Sequence, residues 1–229
     1  MVNEWTIDSN INPEEVGGYL EGDILVPTKG RNGLVAFSAK WEGSVVPYVI
    51  EGPYTMKDEE MIQNAIKQYH DNTCIRFRRK QPDDTDYIRI INTKTGCWSS
   101  VGRIGGAQEV NLQSPGCLST VGTPIHELMH ALGFHHEHTR YERDDFVKIM
   151  WNNIGKGHEN NFQKVPKDTT SGFGVDYDYE SVMHYSAYAF SINQKPTIVT
   201  NKPKAQIGQR KGFSVGDIRK IRSMYNCTV

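Results

Sequence analysis

Residues 126–136 read His-Glu-Leu-Met-His-Ala-Leu-Gly-Phe-His-His, and they fix one helix, its end and the turn that follows. His126 and His130 are four residues apart, so on a helix their imidazoles share one face about 6 Å apart along the axis. Gly133 predicts the end of the helix, and the chain after it returns His136 to the same side. The pattern therefore predicts a metal site with three imidazole ligands.

The acid that follows the first histidine is the candidate base. Glu127 would lie beside the ion rather than on it, where a carboxylate can take a proton from a water. Three neutral imidazoles leave an open position on Zn²⁺, unlike the closed four-ligand sites that serve structure alone. The sequence predicts one catalytic Zn²⁺ per chain and a hydrolytic reaction.

Length, composition and charge favour a single globular domain that binds neither nucleic acid nor membranes. The chain has 229 residues, 37% of them hydrophobic, and a formal net charge of -1. This length can bury the core of one domain. The charge offers no basic surface for nucleic acid or an anionic membrane, and the apolar runs are too short for a membrane span. We therefore expect neither of these partners, and we expect a monomer.

Four cysteines, Cys74, Cys97, Cys117 and Cys227, lie far apart and form no C-x-x-C motif. Their spacing argues against a zinc knuckle or a redox pair and favours two disulfides in an oxidising compartment. Three connectivities are open, of which a local Cys97–Cys117 pair is the most economical. The alternative is four buried free thiols.

The remaining sequence predicts an α+β fold. Residues 45–50 and 87–91 are rich in β-branched and aromatic side chains between turn formers, which is typical of strands. Capping-box patterns at Thr55 and Ser214 precede apolar residues at helical spacing, so they predict two amphipathic helices. Because strand and helix do not alternate regularly, the order favours helices packed on a mixed sheet.

Residues 126–144 read HELMHALGFHHEHTRYERD and resemble the extended zinc signature of the astacin family, which belongs to the metzincin endopeptidases. Residues 181–185, SVMHY, resemble its Met-turn, the loop with Met183 beneath the metal. The similarity covers most of the chain, and Glu142 stands where the family usually has aspartate. It implies a secreted endopeptidase of protein or peptide substrates. The implied fold is a two-lobed α+β domain with a mixed twisted sheet, an active-site helix and a cleft over the zinc.

The resemblance also implies roles for residues outside the signature. Tyr185 would be a further zinc ligand that can leave the metal and donate a hydrogen bond to the oxyanion; the alternative is an ordinary core tyrosine. The cysteines match family positions that pair Cys74 with Cys227 and Cys97 with Cys117.

An N-terminal motif is similar to the F-x-G-D motif of astacin propeptides. The motif Leu20-Glu21-Gly22-Asp23 has leucine for the usual phenylalanine, and the resemblance implies that Asp23 is a zinc ligand in the proenzyme. When the resemblance is set aside, the alternative interpretation of the motif is an acidic turn at Gly22 and Asp23. The predicted boundaries are residues 1–31 for a propeptide and 32–229 for the peptidase domain, with lobes 32–136 and 137–229.

The end of this segment contains turn formers and a basic residue, which is typical of an exposed, cleavable linker. The family's mature start places the cut between Arg31 and Asn32, so a trypsin-like protease is an expected partner. The resemblance implies that the freed amino group of Asn32 lies near Glu137. The alternative for that acid is a surface position at a helix end.

Substrate contacts are expected at two places. Trp98, Ser99 and Ser100 resemble the family's edge strand, which pairs with an extended substrate. Arg210 resembles a loop position that lines the pocket after the scissile bond in some relatives, where it would favour an acidic residue. The alternative is that Arg210 is solvated, as we expect for the lysines of the same basic loop: Lys202, Lys204 and Lys211.

Two other functions compete with peptide hydrolysis. One is a catalytically silent zinc protein that binds extracellular partners, but the retained Glu127 and ligands argue against it. The other is a small-molecule zinc hydrolase, which an edge strand for peptide pairing disfavours. Peptide cleavage that a chelator abolishes separates these possibilities.

Overall fold

The structure is a computed structural model that describes residues 2, 5–6, 9–26, 40–168 and 170–228. Within these ranges a five-stranded sheet contains β1 (Val45–Glu51), β2 (Arg76–Arg79), β3 (Tyr87–Ile91), β4 (Cys97–Ser99) and β5 (Ala107–Leu112). The order is β2-β1-β3-β5-β4, and neighbouring strands are parallel except β4, which runs antiparallel to β5. The predicted strands and the mixed sheet are confirmed, with β4 at one edge.

The described chain has three α-helices: α1 (Met56–Asn72), α2 (Gly122–Leu132) and α3 (Val215–Met224). Both predicted capping boxes are confirmed. Thr55 and Asp58 cap α1, and Ser214 and Asp217 cap α3, with each hydroxyl accepting from the amide three residues later. These bonds satisfy amides that have no partner in the first helical turn, so they fix where each helix begins.

Helix α2 is buried along its whole length and packs against α1, β4 and β5. The Tyr69 hydroxyl of α1 donates to the Ile125 carbonyl oxygen at 2.7 Å. The helix ends at Gly133, whose φ of 117° is a left-handed conformation that glycine adopts without a steric penalty. This turn directs the chain back toward the helix face that carries His126 and His130.

Two hydrophobic clusters stabilise the described residues. The first joins the sheet to the three helices and includes Val182 and Met183. The second lies at a two-stranded antiparallel sheet, β6 (Val147–Ile149) with β7 (Ile198–Thr200), and includes Tyr185. The Met-turn therefore joins both clusters, so its backbone is held from two sides.

Two disulfides are present, between Cys74 and Cys227 and between Cys97 and Cys117. These are the pairs that the family resemblance implies, so the expectation of two disulfides is confirmed and the alternative of four free thiols is wrong. The first bond joins the connection between α1 and β2 to the residues after α3, and the second joins β4 to the turn before α2. Among the described helices, none has the length and apolarity to cross a membrane.

The double change Cys97→Ser and Cys117→Ser is expected to lower the free energy of unfolding by about 3 kcal/mol, because the bond restricts the unfolded chain. The bonded residues are 20 apart, whereas those of the other pair are 153 apart. Cys74→Ser with Cys227→Ser should therefore cost more. Denaturant unfolding followed by circular dichroism measures both losses. The reverse order would contradict an effect dominated by chain entropy.

Candidate metal centre and active site

Three histidines meet at the end of α2. His126 and His130 lie one turn apart on the helix, and His136 follows the Gly133 turn; each side chain is at most 1% exposed. The Nε2 atoms of His126 and His136 are 3.2 Å apart. Local sequence alone brings this group together, because a helical spacing and one glycine turn fix all three positions.

Each imidazole is oriented by a hydrogen bond at its other nitrogen. The Nδ1 atoms contact oxygens of three different elements: Val182 O at 2.8 Å from His126, Phe134 O at 2.7 Å from His130, and Glu21 Oε2 at 2.7 Å from His136. Because these oxygens only accept, Nδ1 carries the proton and the Nε2 lone pairs point to a common centre. Nitrogen atoms that face one another at this distance need a proton or a metal cation between them.

Asp23 supplies a carboxylate to the same centre. Its Oδ2 lies 3.0 Å from His126 Nε2 and 3.2 Å from His136 Nε2, and its Oδ1 lies 3.6 Å from His130 Nε2. Potential ligand atoms of the four residues lie within 4.8 Å of one another. Buried Asp23 Oδ1 and His130 Nε2 have no hydrogen-bond partner among the described residues. Three imidazole nitrogens and a carboxylate oxygen are a donor set that fits Zn²⁺.

The electrostatics of the site favour a bound cation. Burial raises the pKa of Asp23, but the neighbouring His136 and His130 outweigh it and hold that pKa well below its usual range. Burial lowers the pKa of His136, yet the Asp23 and Glu21 carboxylates raise it to about 10. Burial lowers the pKa of His126 to about 4, so this ligand is neutral. Zinc can take the place of the proton that the two carboxylates attract to this site.

Glu127 lies beside the centre and is fully buried. Neither of its carboxylate oxygens has a hydrogen-bond partner among the residues that the structure describes. Burial, and then the negative charge of Asp23, raise the pKa of Glu127 well above its ordinary value. A carboxylate without structural bonds is available for proton transfer.

Tyr185 also lies at the centre, but its hydroxyl donates to the Glu21 backbone carbonyl at 2.5 Å. Its ring lies 4.7 Å from the His136 ring and 3.8 Å from the His138 ring, measured between centroids. The structure thus places the phenol next to the ligands, with its hydrogen bond made to the N-terminal segment, by which we mean residues 9–26.

The Met-turn, residues 181–185, packs against the residues of the metal centre. Met183 is 1% exposed, and its carbonyl accepts from the Glu137 amide at 2.9 Å. The Asp217 carboxylate accepts from the Val182 amide at 2.8 Å and from the Ser181 hydroxyl at 2.6 Å. Since the Val182 carbonyl orients His126, Asp217 fixes a metal ligand through the turn.

Glu137 is buried rather than on the surface, and it already has cationic partners. Its carboxylate pairs with Lys220 and with Arg140, and it accepts from the Asp178 amide at 2.9 Å. Arg31 and Asn32 lie outside the described residues, so the contact of the freed amino group with Glu137 stays a prediction.

The edge strand is covered by the N-terminal segment. The Ser99 amide donates to the Asp23 carbonyl, and the Leu25 amide donates to the Ser99 carbonyl, each at 2.9 Å. The segment runs parallel to β4 at this bridge. The Trp98 ring lies 5.2 Å from the Tyr19 ring. Ser100, which follows Ser99 at the end of β4, is buried. Trp98 and Ser99 therefore contact the segment directly.

Arg210 is 7% exposed, so the expectation of a solvated arginine is wrong. Its Nε pairs with the Glu14 carboxylate and its Nη1 donates to the His184 carbonyl at 3.1 Å. The buried Glu14 carboxylate compensates the positive charge of the guanidinium, so Arg210 can be buried. The lysines of the loop are exposed as expected: Lys202, Lys204 and Lys211.

Sequence reasoning overlooked two residues that orient the site. Glu21 was visible inside the Leu20–Asp23 motif, but nothing in a linear motif showed its contact with His136. The sequence indicates Asp217 only as the acid of the capping box that begins at Ser214, whereas the structure shows that it also holds the Met-turn. Both contacts join residues far apart in the chain, so only the tertiary structure reveals them.

Residues 34–226 match the family model described as Astacin, a family of peptidases. Zinc metalloproteinase nas-13 of Caenorhabditis elegans is 46% identical over 222 residues, covering 96% of this chain and 49% of its own length. Zinc metalloproteinase nas-7 of the same worm is 42% identical over 218 residues, covering 95% of this chain and 56% of its own length. The chain therefore spans about half the length of these two curated relatives.

High choriolytic enzyme 1 of the medaka fish Oryzias latipes is 40% identical over 230 residues, covering 96% of this chain and 82% of its own length. Its solved structure, described as a hatching enzyme zinc-protease, has a TM-score of 0.77 and covers 84% of this chain and 95% of that chain. Because the family model matches most of the sequence and a relative of similar length shares the fold, the chain belongs to the astacin family of peptidases.

Proposed function

We propose that the chain is a secreted zinc endopeptidase in its proenzyme form, latent until residues 1–31 are cut away. The Asp23 carboxylate among the three histidine nitrogens is the observation that carries this proposal. Residues 32–229 are then the peptidase domain, with lobes 32–136 and 137–229. Two disulfides suit an oxidising extracellular setting.

The chemistry follows from the groups around the centre. His126, His130 and His136 hold the zinc ion, which when bound supplies a Lewis acid and lowers the pKa of a water to about 7. Glu127 takes a proton from the attacking water and gives a proton to the leaving amine. Tyr185, once free of the Glu21 carbonyl, donates its hydroxyl hydrogen bond to the oxyanion of the substrate.

The substrate is a protein or peptide in an extended conformation. When the N-terminal segment leaves, the Ser99 amide and carbonyl lose their partners and can pair with a substrate backbone. Backbone pairing tolerates many side chains. Arg210 adds a preference for an acidic residue after the scissile bond, because its charge then needs a new counter-ion.

Activation requires a cut between Arg31 and Asn32, which suits a trypsin-like protease. We place the new amino group of Asn32 near Glu137. Since Lys220 and Arg140 already contact that carboxylate, the amino group joins an existing buried network rather than neutralising an isolated acid.

Limited trypsin treatment of the chain tests the proposal. We expect a new N-terminus at Asn32 and cleavage of fluorogenic peptides only after the cut. We also expect 1,10-phenanthroline to abolish cleavage and added Zn²⁺ to restore it, because zinc supplies the Lewis acid. Cleavage by the uncut chain would contradict latency. A cut, zinc-loaded chain that cleaves no peptide would instead favour the silent binding protein.

A further inference from the structure

The N-terminal segment makes a second buried contact through two adjacent acids. The 3₁₀ turn Pro13–Val16 carries Glu14 and Glu15, which are 0% and 2% exposed. Adjacent acids leave water only when donors replace their hydration. Asn12 of the same segment donates two hydrogen bonds to Glu15. The other donors to the two acids belong to the peptidase domain, so they identify a binding surface on that domain.

Glu14 is held by a charged partner. Its Oε1 pairs with Arg210 Nε, and its Oε2 accepts from the Thr123 hydroxyl at 3.3 Å. The side chains of Arg210 and Glu14 are 4% and 0% exposed. Arg210 Nη2 is also buried, and no described residue accepts its hydrogen bond. The guanidinium therefore has a further donor for an anionic ligand.

Glu15 is held by Ser186. The Ser186 amide donates to Glu15 Oε1, and its hydroxyl donates to Glu15 Oε2, each at 2.6 Å. Gly208 has φ +83°, and a Cβ there would lie 2.4 Å from Ser186 Cα. This close approach packs the loop that carries Arg210 directly against Ser186. The two carboxylate-binding groups are therefore fixed side by side by the backbone.

We propose that Arg210 and Ser186 form a carboxylate-pair site for peptides that present two consecutive acidic residues on a helical turn. Glu14 and Glu15 are its intramolecular occupant, so the site is an anchor for latency separate from Asp23. The inference rests on the proposed function, because it assumes that the segment is released by a cut. It follows that the cut segment stays bound until this acidic pair also dissociates.

Binding of a synthetic peptide of residues 9–26 to the trypsin-activated chain tests the site, with fluorescence anisotropy as the readout. We expect a peptide with Glu14→Gln and Glu15→Gln to bind about 30-fold or more weakly, since truncating one side of a buried charge contact commonly has that effect. A peptide with Asn10 and Glu14 exchanged keeps the net charge, and we expect it to bind weakly too. Equal binding of the three peptides would overturn the site.

The domain side is tested with Arg210→Gln and Ser186→Ala. Arg210→Gln should weaken binding of the unmodified peptide but should have little further effect on binding of the Glu14→Gln peptide. Ser186→Ala should likewise weaken binding of the unmodified peptide, with little further effect on binding of the Glu15→Gln peptide. Independent, additive losses would count against direct contacts. If a variant does not fold, as judged by thermal unfolding, the peptide series against the unmodified chain decides. Because the readout is binding, peptide cleavage by the cut chain tests the proposed function separately.

Discussion

Glu127→Gln in the trypsin-activated chain is expected to lower kcat/KM for a fluorogenic peptide by about 100- to 10,000-fold, the range that a positioned general base contributes. Glutamine has the same shape but cannot take a proton from water. Because neither Glu127 oxygen has a hydrogen-bond partner among the described residues, the change breaks no bond seen in the fold. The three histidines are untouched, so zinc content measured by mass spectrometry should stay at one ion per chain.

Thermal unfolding distinguishes this result from simple damage. Burial and the Asp23 charge disfavour an ionised Glu127, so a neutral amide should not lower the melting temperature of the uncut chain. Glu60→Gln makes the same substitution at an exposed position on α1 and should leave activity unchanged. Residual activity of Glu127→Gln near that of Glu60→Gln would exclude Glu127 as the base.

Asp23→Ala is expected to raise peptide cleavage by the uncut chain about 100-fold or more, the change that accompanies a shift from a minor to a dominant open state. The carboxylate lies within 3.0–3.6 Å of the three Nε2 atoms, so its removal exposes the ligand position to water. The assay uses a protease-free preparation, with mass spectrometry to show that residues 1–31 are still attached.

A matched change elsewhere gives the baseline for latency. Asp83→Ala removes an exposed carboxylate between β2 and β3 and should leave the uncut chain as inactive as the unmodified protein. If Asp23→Ala is equally latent, the segment blocks the cleft through its contacts with Ser99, Arg210 and Ser186 rather than through the metal ligand, and the aspartate account is wrong.

Elements set by nearby residues could be predicted from the sequence. The histidine cluster depends on an i, i+4 spacing and one glycine, and the ends of α1 and α3 depend on hydroxyl and carboxyl groups three residues apart. β1 and β3 were long and apolar enough to predict. β2, β6 and β7 have three or four residues each, too few for a periodic pattern, so they became visible only in the structure.

Contacts across long stretches of chain could not be predicted in this way. Arg210 is 196 residues from Glu14, and the burial of its guanidinium follows from a partner that no local pattern identifies. The role of Asp217 in the Met-turn could not be predicted either, since it depends on where α3 packs. The family resemblance directed attention to Arg210 and to the cysteine pairs, whereas spacing alone left their partners open.

Glu21 makes two contacts, and together they affect how sharply the proenzyme responds to its activator. Its side chain accepts from His136 and its backbone carbonyl accepts from Tyr185. One residue therefore restrains a ligand and a catalytic hydroxyl at once, and departure of the Glu21 backbone from the site releases both together. We expect activation to be all-or-none for each molecule, so that a half-processed sample is a mixture of silent and fully competent enzymes without a partially active species.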